Sequence, residues 1–128
     1  MKTMVLASCL SSCVVGAAVA HHSSAGYDFA HILTVEGTVK TVNWTNPHIT
    51  FLIDVEPKAG VEGGLWNLEA SSPGVMTRSG WTKRSLQPGD RGTFDIAPLR
   101  SGGRGGVLTK VSLPNGQVLT FSGSLSEQ

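Results

Sequence analysis

The strongest constraint on the fold is an alternation of apolar and polar residues that changes phase within one strand. In the segment 33–44, LTVEGTVKTVNW, the apolar residues first occupy odd-numbered positions, from Leu33 to Val39. They then occupy even-numbered positions, at Val42 and Trp44. A shift of one residue sends every following side chain to the opposite face of a sheet. One extra residue in a bulge restores the apolar face and bends the strand. The pattern therefore predicts a long first strand, 33–44, with a bulge or a sharp coil inside it.

Five further segments carry strand signals, and one carries a helix signal. Alternation, β-branched residues and flanking turn residues predict strands over 48–55, 65–70, 91–99, 107–113 and 117–121. Ser72 and Pro73 are typical of a helix N-cap and first helical position, and Gly80 is typical of a left-handed helix end. We predict a helix over 73–79. Asn115-Gly116 predicts a type I′ hairpin before the last strand.

The order of these elements predicts an all-β domain with small helical content. Three strands, one short helix and then two or three strands is the order of an OB-fold, a small barrel in which the helix bridges strands three and four. Closure would also protect the exposed edges of so small a sheet. We predict an OB-like barrel of five or six strands. The alternative is a flat meander packed by one helix.

The beginning of the chain predicts export. Lys2 supplies a positive charge, the following residues are apolar or small, and Ala18-Val19-Ala20 is typical of a signal-peptidase site. We expect residues 1–20 to be a signal peptide and residues 21–128 to form a single periplasmic or secreted domain. A lipoprotein that begins at Cys13 is the alternative, because Leu10-Ser11-Ser12-Cys13 resembles a lipobox.

Composition after this cleavage excludes several classes of protein. Both cysteines and Lys2 are lost, so no disulfide remains and acidic and basic residues balance. A neutral chain argues against a nucleic-acid partner, although RSGGRGG at 100–106 resembles an RNA-binding tract; we interpret it as a mobile loop. No later segment is long and apolar enough for a transmembrane helix. We expect a monomer.

Two histidines directly after the predicted cleavage site suggest a metal site. A free His21 would offer its α-amine and its imidazole to one ion, and these nitrogens suit copper, nickel or zinc. A cut after Ala18 would instead place His21 third, where amide nitrogens join the coordination. We take His21 and His22 as candidate copper or zinc ligands. The competing interpretation is a solvated terminus that binds metal only weakly.

His48 is the candidate third ligand, because it lies in an Asn46-Pro47-His48 loop between the first two strands, where OB-folds bind ligands. The competing interpretation is a histidine on the solvent side. Further residues are candidates for orienting the ligands or for binding a small molecule; they are Asp28, Asn46, Glu69 and Trp44. Solvation is the default for Glu69, and we expect His31 to be solvated.

These observations lead to two main hypotheses of function. The first is a periplasmic module that binds copper, another divalent metal or a small ligand. The second is a structural or interaction protein that docks on an envelope protein and has no metal role. A zinc hydrolase is a weaker third. We expect no enzyme, because the sequence contains no G-x-S-x-G or H-E-x-x-H motif and no spacing that nominates a triad.

A series of short motifs runs through the chain: AHHS after the signal, Tyr27-Asp28, VEGTV, WTNPH, W-x-L-E with S-P, GWT-x-x-SL-x-PGD and a final V-x-L-x-N-G-x-x-L. In this order they resemble a family of small exported bacterial proteins of unknown function. The resemblance covers nearly all of 21–128 and implies an envelope location and one small β domain, without an activity. The chain departs from the family pattern in its longer glycine-rich loop and in Asn115, where Asp is common. The positions that match the pattern are His21, His22, Ser23, Asp28, Gly37, Trp44, Asn46, Pro47, His48, Trp66, Glu69, Gly80, Trp81, Pro88, Gly89 and Asp90.

Overall fold

A computed structural model describes residues 24–121 of the chain. It contains a 3-10 turn at Ser24–Gly26, followed by β1 (Leu33–Asn43), β2 (Thr50–Val55), β3 (Gly64–Glu69), α1 (Pro73–Arg78), β4 (Arg91–Pro98), β5 (Gly105–Ser112) and β6 (Val118–Thr120). Every predicted strand and the predicted helix are present. The predicted signal peptide, Cys13, His21 and His22 lie outside the described residues.

The first five strands close into a barrel. β1 pairs antiparallel with both β2 and β4, β2 pairs with β3, and β4 pairs with β5. A short parallel pairing of β3 with β5 completes the ring, and β6 adds to β5 as an extra strand. α1 lies between β3 and β4 in the chain. The OB-like barrel with one short helix is therefore confirmed, and the flat meander is excluded.

The predicted phase change in β1 is a bulge. The pairing of β1 with β2 shifts register between Val39 and Thr41, so Lys40 is the extra residue. Val39 remains buried before the bulge, and Val42 packs against the same core after it. Gly37 lies where β1 passes close to β2; a Cβ atom there would stand 2.5 Å from the carbonyl oxygen of Asp54. The bend thus allows one strand to contribute to both halves of the barrel.

α1 and the loop after it add buried side chains to the core, namely Met76, Trp81 and Leu86. The Ser72 hydroxyl accepts a hydrogen bond from the Val75 amide at 3.4 Å, which is the predicted N-cap. Gly80 has a φ of +89°, and the amide of Trp81 then donates to the carbonyl of Met76 at 3.0 Å. This reversal places Trp81 in the core, where it is 1% exposed and packs beside Phe51.

Two predictions about loops are wrong. A type I′ turn needs a positive φ at both Asn115 and Gly116. Gly116 has a φ of +85°, but within 24–121 only glycines have a positive φ, so the β5–β6 hairpin is not type I′. Pro114 fixes a negative φ inside the turn, which the Gly116 amide closes by donating to the Leu113 carbonyl at 3.0 Å.

The predicted mobile loop at 100–106 also ends early. Gly105 and Gly106 belong to β5, because both pair with β3 and Gly106 also pairs with β4. The strands lie so close there that a Cβ at Gly106 would stand 2.4 Å from the Ala97 carbonyl oxygen.

Within 24–121, no helix is both long enough and apolar enough to span a bilayer.

Candidate functional site

The segment before β1 is held against the far end of β4. Tyr27 forms an isolated bridge with Leu99, and the Asp28 amide donates to the Pro98 carbonyl at 2.8 Å. Arg100 binds the same segment twice: its amide donates to the Gly26 carbonyl at 3.0 Å and its Nε donates to the Ala25 carbonyl at 3.1 Å. The residues 25–28 therefore have a defined place on the barrel.

The loop between β1 and β2 is also fixed where it meets β3. The Ala70 amide donates to the Ile49 carbonyl at 2.8 Å, and the Ile49 amide donates to the Ser71 carbonyl at 3.0 Å. These two bonds extend the β2–β3 ladder beyond the ends of both strands. His48, which precedes Ile49, and Glu69, which precedes Ala70, are thereby brought together.

Three side chains meet at this end of the barrel, and we call them the Tyr27–Glu69–His48 cluster. His48 Nδ1 lies 3.1 Å from Glu69 Oε1, and the Tyr27 hydroxyl donates a short hydrogen bond to Glu69 Oε2. The His48 side chain is 16% exposed and the Glu69 side chain is 28% exposed. Glu69 thus stands between a phenol and an imidazole, half-buried.

The contacts of Glu69 indicate which neighbouring atoms carry a proton. An ionised carboxylate can only accept hydrogen bonds, so both neighbours of Glu69 must donate. His48 therefore carries a proton on Nδ1, and in the neutral imidazole the lone pair lies on Nε2. The contact with Glu69 therefore favours the tautomer of His48 that carries its proton on Nδ1.

The surroundings of Tyr27 raise the pKa of its hydroxyl. Burial, together with the hydrogen bond to Glu69 and the negative charge of Glu69, raises the pKa of Tyr27 to about 12. Each of these factors disfavours the phenolate: burial removes water from it, and the carboxylate repels it. Tyr27 consequently remains a neutral donor throughout the physiological pH range.

Titration of the tyrosine absorbance is a direct check, because Tyr27 is the chain's sole tyrosine. We expect a tyrosinate midpoint near pH 12 in the ultraviolet spectrum. In Glu69→Gln the midpoint should fall but stay above the ordinary value, because burial is the largest cause and persists. Circular dichroism on the same samples separates titration from unfolding. A wild-type midpoint near the ordinary value of about 10 would show that the phenol is neither buried nor in contact with Glu69.

The structure brings together two of the predicted site residues. His48 and Glu69 are in contact, so the default of simple solvation for Glu69 is wrong: its outward side chain contacts both Tyr27 and His48 and is only 28% exposed. The His48 side chain is 16% exposed and contacts Glu69, so it does not simply face solvent; its role in binding stays a prediction. His21 and His22 lie outside the described residues, and their role stays a prediction.

The other predicted residues lie in the segment before β1 and in the loop between β1 and β2. Asp28 contacts His31 at 2.9 Å and Arg100 at 3.8 Å, and the His31 hydrogen bond holds the pKa of Asp28 below its usual value. His31 is solvated as predicted, with 85% of its side chain exposed. Trp44 is half-buried and packs against the core. Asn46 is exposed in the same loop, before a cis bond to Pro47.

Tyr27 was not among the predicted site residues. It is separated from Glu69 by 42 positions in the chain, and no alternation or spacing links the two. The signal that could have found it is the Tyr27-Asp28 motif itself, which lies in the lead-in to β1. Its ring packs on Ala97 and Val107, which form a small apolar cluster apart from the main core.

A metal ion at the cluster would need further ligands. Among residues 24–121, no three His, Cys, Asp or Glu side chains are arranged to hold a metal ion. A separate shallow groove of about 200 Å³ is lined by Glu36, Arg91, Gly92, Thr93, Ser112, Leu113 and Pro114. It shares no residue with the cluster, and Arg91 within it is paired with Glu56 at 2.7 Å.

Comparison with known proteins identifies the family. The model of DUF6152, a family of unknown function, matches residues 9–110, and the chain belongs to that family. Neither the curated proteins nor the solved structures contain a significant match. The matched range includes the whole Tyr27–Glu69–His48 cluster. The resemblance to a family of unknown function is confirmed; export stays a prediction.

Proposed function

We propose that this DUF6152 protein is an exported module that binds a divalent transition-metal ion, copper(II) above all, through His48. Glu69 serves to orient the imidazole rather than to bind the ion. His21 and His22 complete the ligand set after removal of residues 1–20. Binding, rather than enzymatic turnover, is the proposed activity.

The observation that carries the proposal is the 3.1 Å contact between His48 Nδ1 and Glu69 Oε1. Histidines that bind metals through one ring nitrogen usually donate the other N–H to a carboxylate, which fixes the ring and raises its basicity as a ligand. The Glu69 contact directs the lone pair of His48 to Nε2, the atom that would bind the ion. The half-buried site also limits the freedom of both side chains.

The second support is the attachment of the N-terminal segment to the same end of the barrel. Tyr27 touches Glu69, and Arg100 holds Ala25 and Gly26. His21 and His22 precede this attached segment by a few residues of chain. Their contribution is a prediction from the sequence: a free His21 amine has an ordinary pKa near about 7.7 to 8.0, so it loses its proton to a metal at little cost at neutral pH.

Copper is favoured by the chemistry of these ligands. Imidazole and amine nitrogens bind Cu(II) more tightly than Zn(II) or Ni(II) in the usual order of divalent ions. No cysteine remains after the predicted cleavage, so the softer thiolate sites are excluded for the mature chain.

The test is calorimetric titration of Cu(II) into untagged protein that begins at His21. We expect one ion per chain at micromolar affinity or tighter, with Zn(II) weaker. A matched protein with one glycine before His21 moves the α-amine away from the imidazole. Its affinity should fall by about tenfold or more, as expected for loss of one nitrogen ligand.

Failure of the native-terminus protein to take up Cu(II) or Zn(II) at micromolar concentration would overturn the metal proposal. Docking on an envelope protein would then be the remaining hypothesis. Phe29 and Ile32, which are 44% and 46% exposed, are the apolar residues nearest the attached segment in the chain.

A further inference from the structure

We propose that Tyr27 is a positioning residue for His48, acting through Glu69. The Tyr27 hydroxyl fixes one carboxylate oxygen, so that the other holds the His48 ring in the tautomer that binds metal through Nε2. This inference rests on the proposed metal function and adds to it the group that controls the ligand.

The first step concerns Tyr27 itself, whose place is determined by the barrel. Its backbone bridges to Leu99, and its ring packs on Ala97 and Val107. Phe29 meets the ring edge-on, with centroids 6.4 Å apart. These contacts do not involve Glu69, so the phenol is held in position independently of the carboxylate.

The second step concerns the two oxygens of Glu69. Tyr27 donates to Oε2 and His48 donates to Oε1, so each oxygen has its own partner. A glutamate held at one oxygen has little freedom to rotate away from the other partner. With 28% of its side chain exposed, Glu69 would gain solvent-facing conformations if the phenol were removed.

The third step links the cluster to the N-terminal segment. Tyr27 belongs to the stretch that Arg100 holds through the Ala25 and Gly26 carbonyls. Attachment of this stretch to the barrel therefore determines whether the phenol reaches Glu69.

The test is Tyr27→Phe, which removes one oxygen and keeps the ring. Long-range nitrogen–proton NMR of metal-free protein, at pH about 8.5 where ordinary imidazoles are neutral, reports the His48 tautomer. We expect wild type to show Nδ1–H and the variant to show a mixture of both tautomers. Copper affinity should fall by about tenfold, within the range seen when a partner of a metal-binding histidine is lost.

Thr34→Val is the matched control, because it also removes one hydrogen-bonding hydroxyl, and that hydroxyl contacts Asp95 and no member of the cluster. It should leave the tautomer unchanged. If Tyr27→Phe leaves the tautomer of a folded protein unchanged, the positioning role is wrong, whatever happens to affinity. If wild type binds no metal while Tyr27→Phe still shifts the tautomer, the positioning of His48 stands and the proposed metal function fails.

Discussion

Replacing His48 by asparagine is expected to lower the affinity for Cu(II) by on the order of 100-fold, more than loss of a residue that merely orients a ligand. The asparagine amide can occupy the position of Nδ1 and donate to Glu69, so the contact with Tyr27 is preserved. The variant lacks an atom at Nε2, the proposed ligand. Calorimetry on protein beginning at His21 measures the change, and copper electron paramagnetic resonance should lose one nitrogen coupling.

His31→Asn is the matched control. His31 is exposed, contacts Asp28 and has no place in the proposed site. Its replacement should leave copper affinity within about twofold, since exposed ion pairs of this kind contribute little. Equal losses in the two variants would mean that copper binds surface imidazoles without selection, and the assignment of His48 would be wrong.

The fold was largely predictable because its signals are local. The phase change in β1 predicts a bulge within a few residues. The start of α1 is indicated by Ser72 and Pro73, and its end by Gly80. Each of these features depends on backbone geometry at its own position. The type I′ prediction also depended on neighbouring residues. It is wrong because Pro114, directly before Asn115-Gly116, favours a different turn.

The candidate site was predictable only in part because its contacts are not local. The loop position of His48 drew attention to it, and alternation placed Glu69 on the outward side of β3. Alternation states which face a side chain occupies but not which segment covers that face. The segment that covers Glu69 is the one containing Tyr27, which is 42 positions away and is placed by Arg100 and Leu99.

This arrangement explains how an outward-facing glutamate becomes half-buried on a small barrel. A closed ring of five strands has no spare core volume, so polar side chains are covered only where an additional segment crosses the outside. The lead-in to β1 does so at the end of β3. The strand order thus provides the platform, and the attached segment creates the enclosed environment in which Glu69 contacts two donors.

Replacing Trp81 by alanine is expected to reduce the free energy of unfolding by about 3–5 kcal/mol, the usual cost of removing a large buried aromatic side chain. Trp81 is 1% exposed, and its indole N–H donates to the Thr120 carbonyl at 2.9 Å. The variant therefore loses apolar contacts beside Phe51 and also removes the donor that ties β6 to the barrel. Urea unfolding followed by circular dichroism measures the change.

Trp44→Ala is the comparison for this prediction. Trp44 has the same side chain but is only half-buried at the edge of the core, so its loss should destabilise the protein markedly less. Since small domains are stable by only about 5–15 kcal/mol, Trp81→Ala should remove a large fraction of the free energy of unfolding. Equal destabilisation by the two variants would contradict the placement of Trp81 as the residue that joins α1, Phe51 and β6. The difference between them tests whether the reversal at Gly80 serves to bury this side chain.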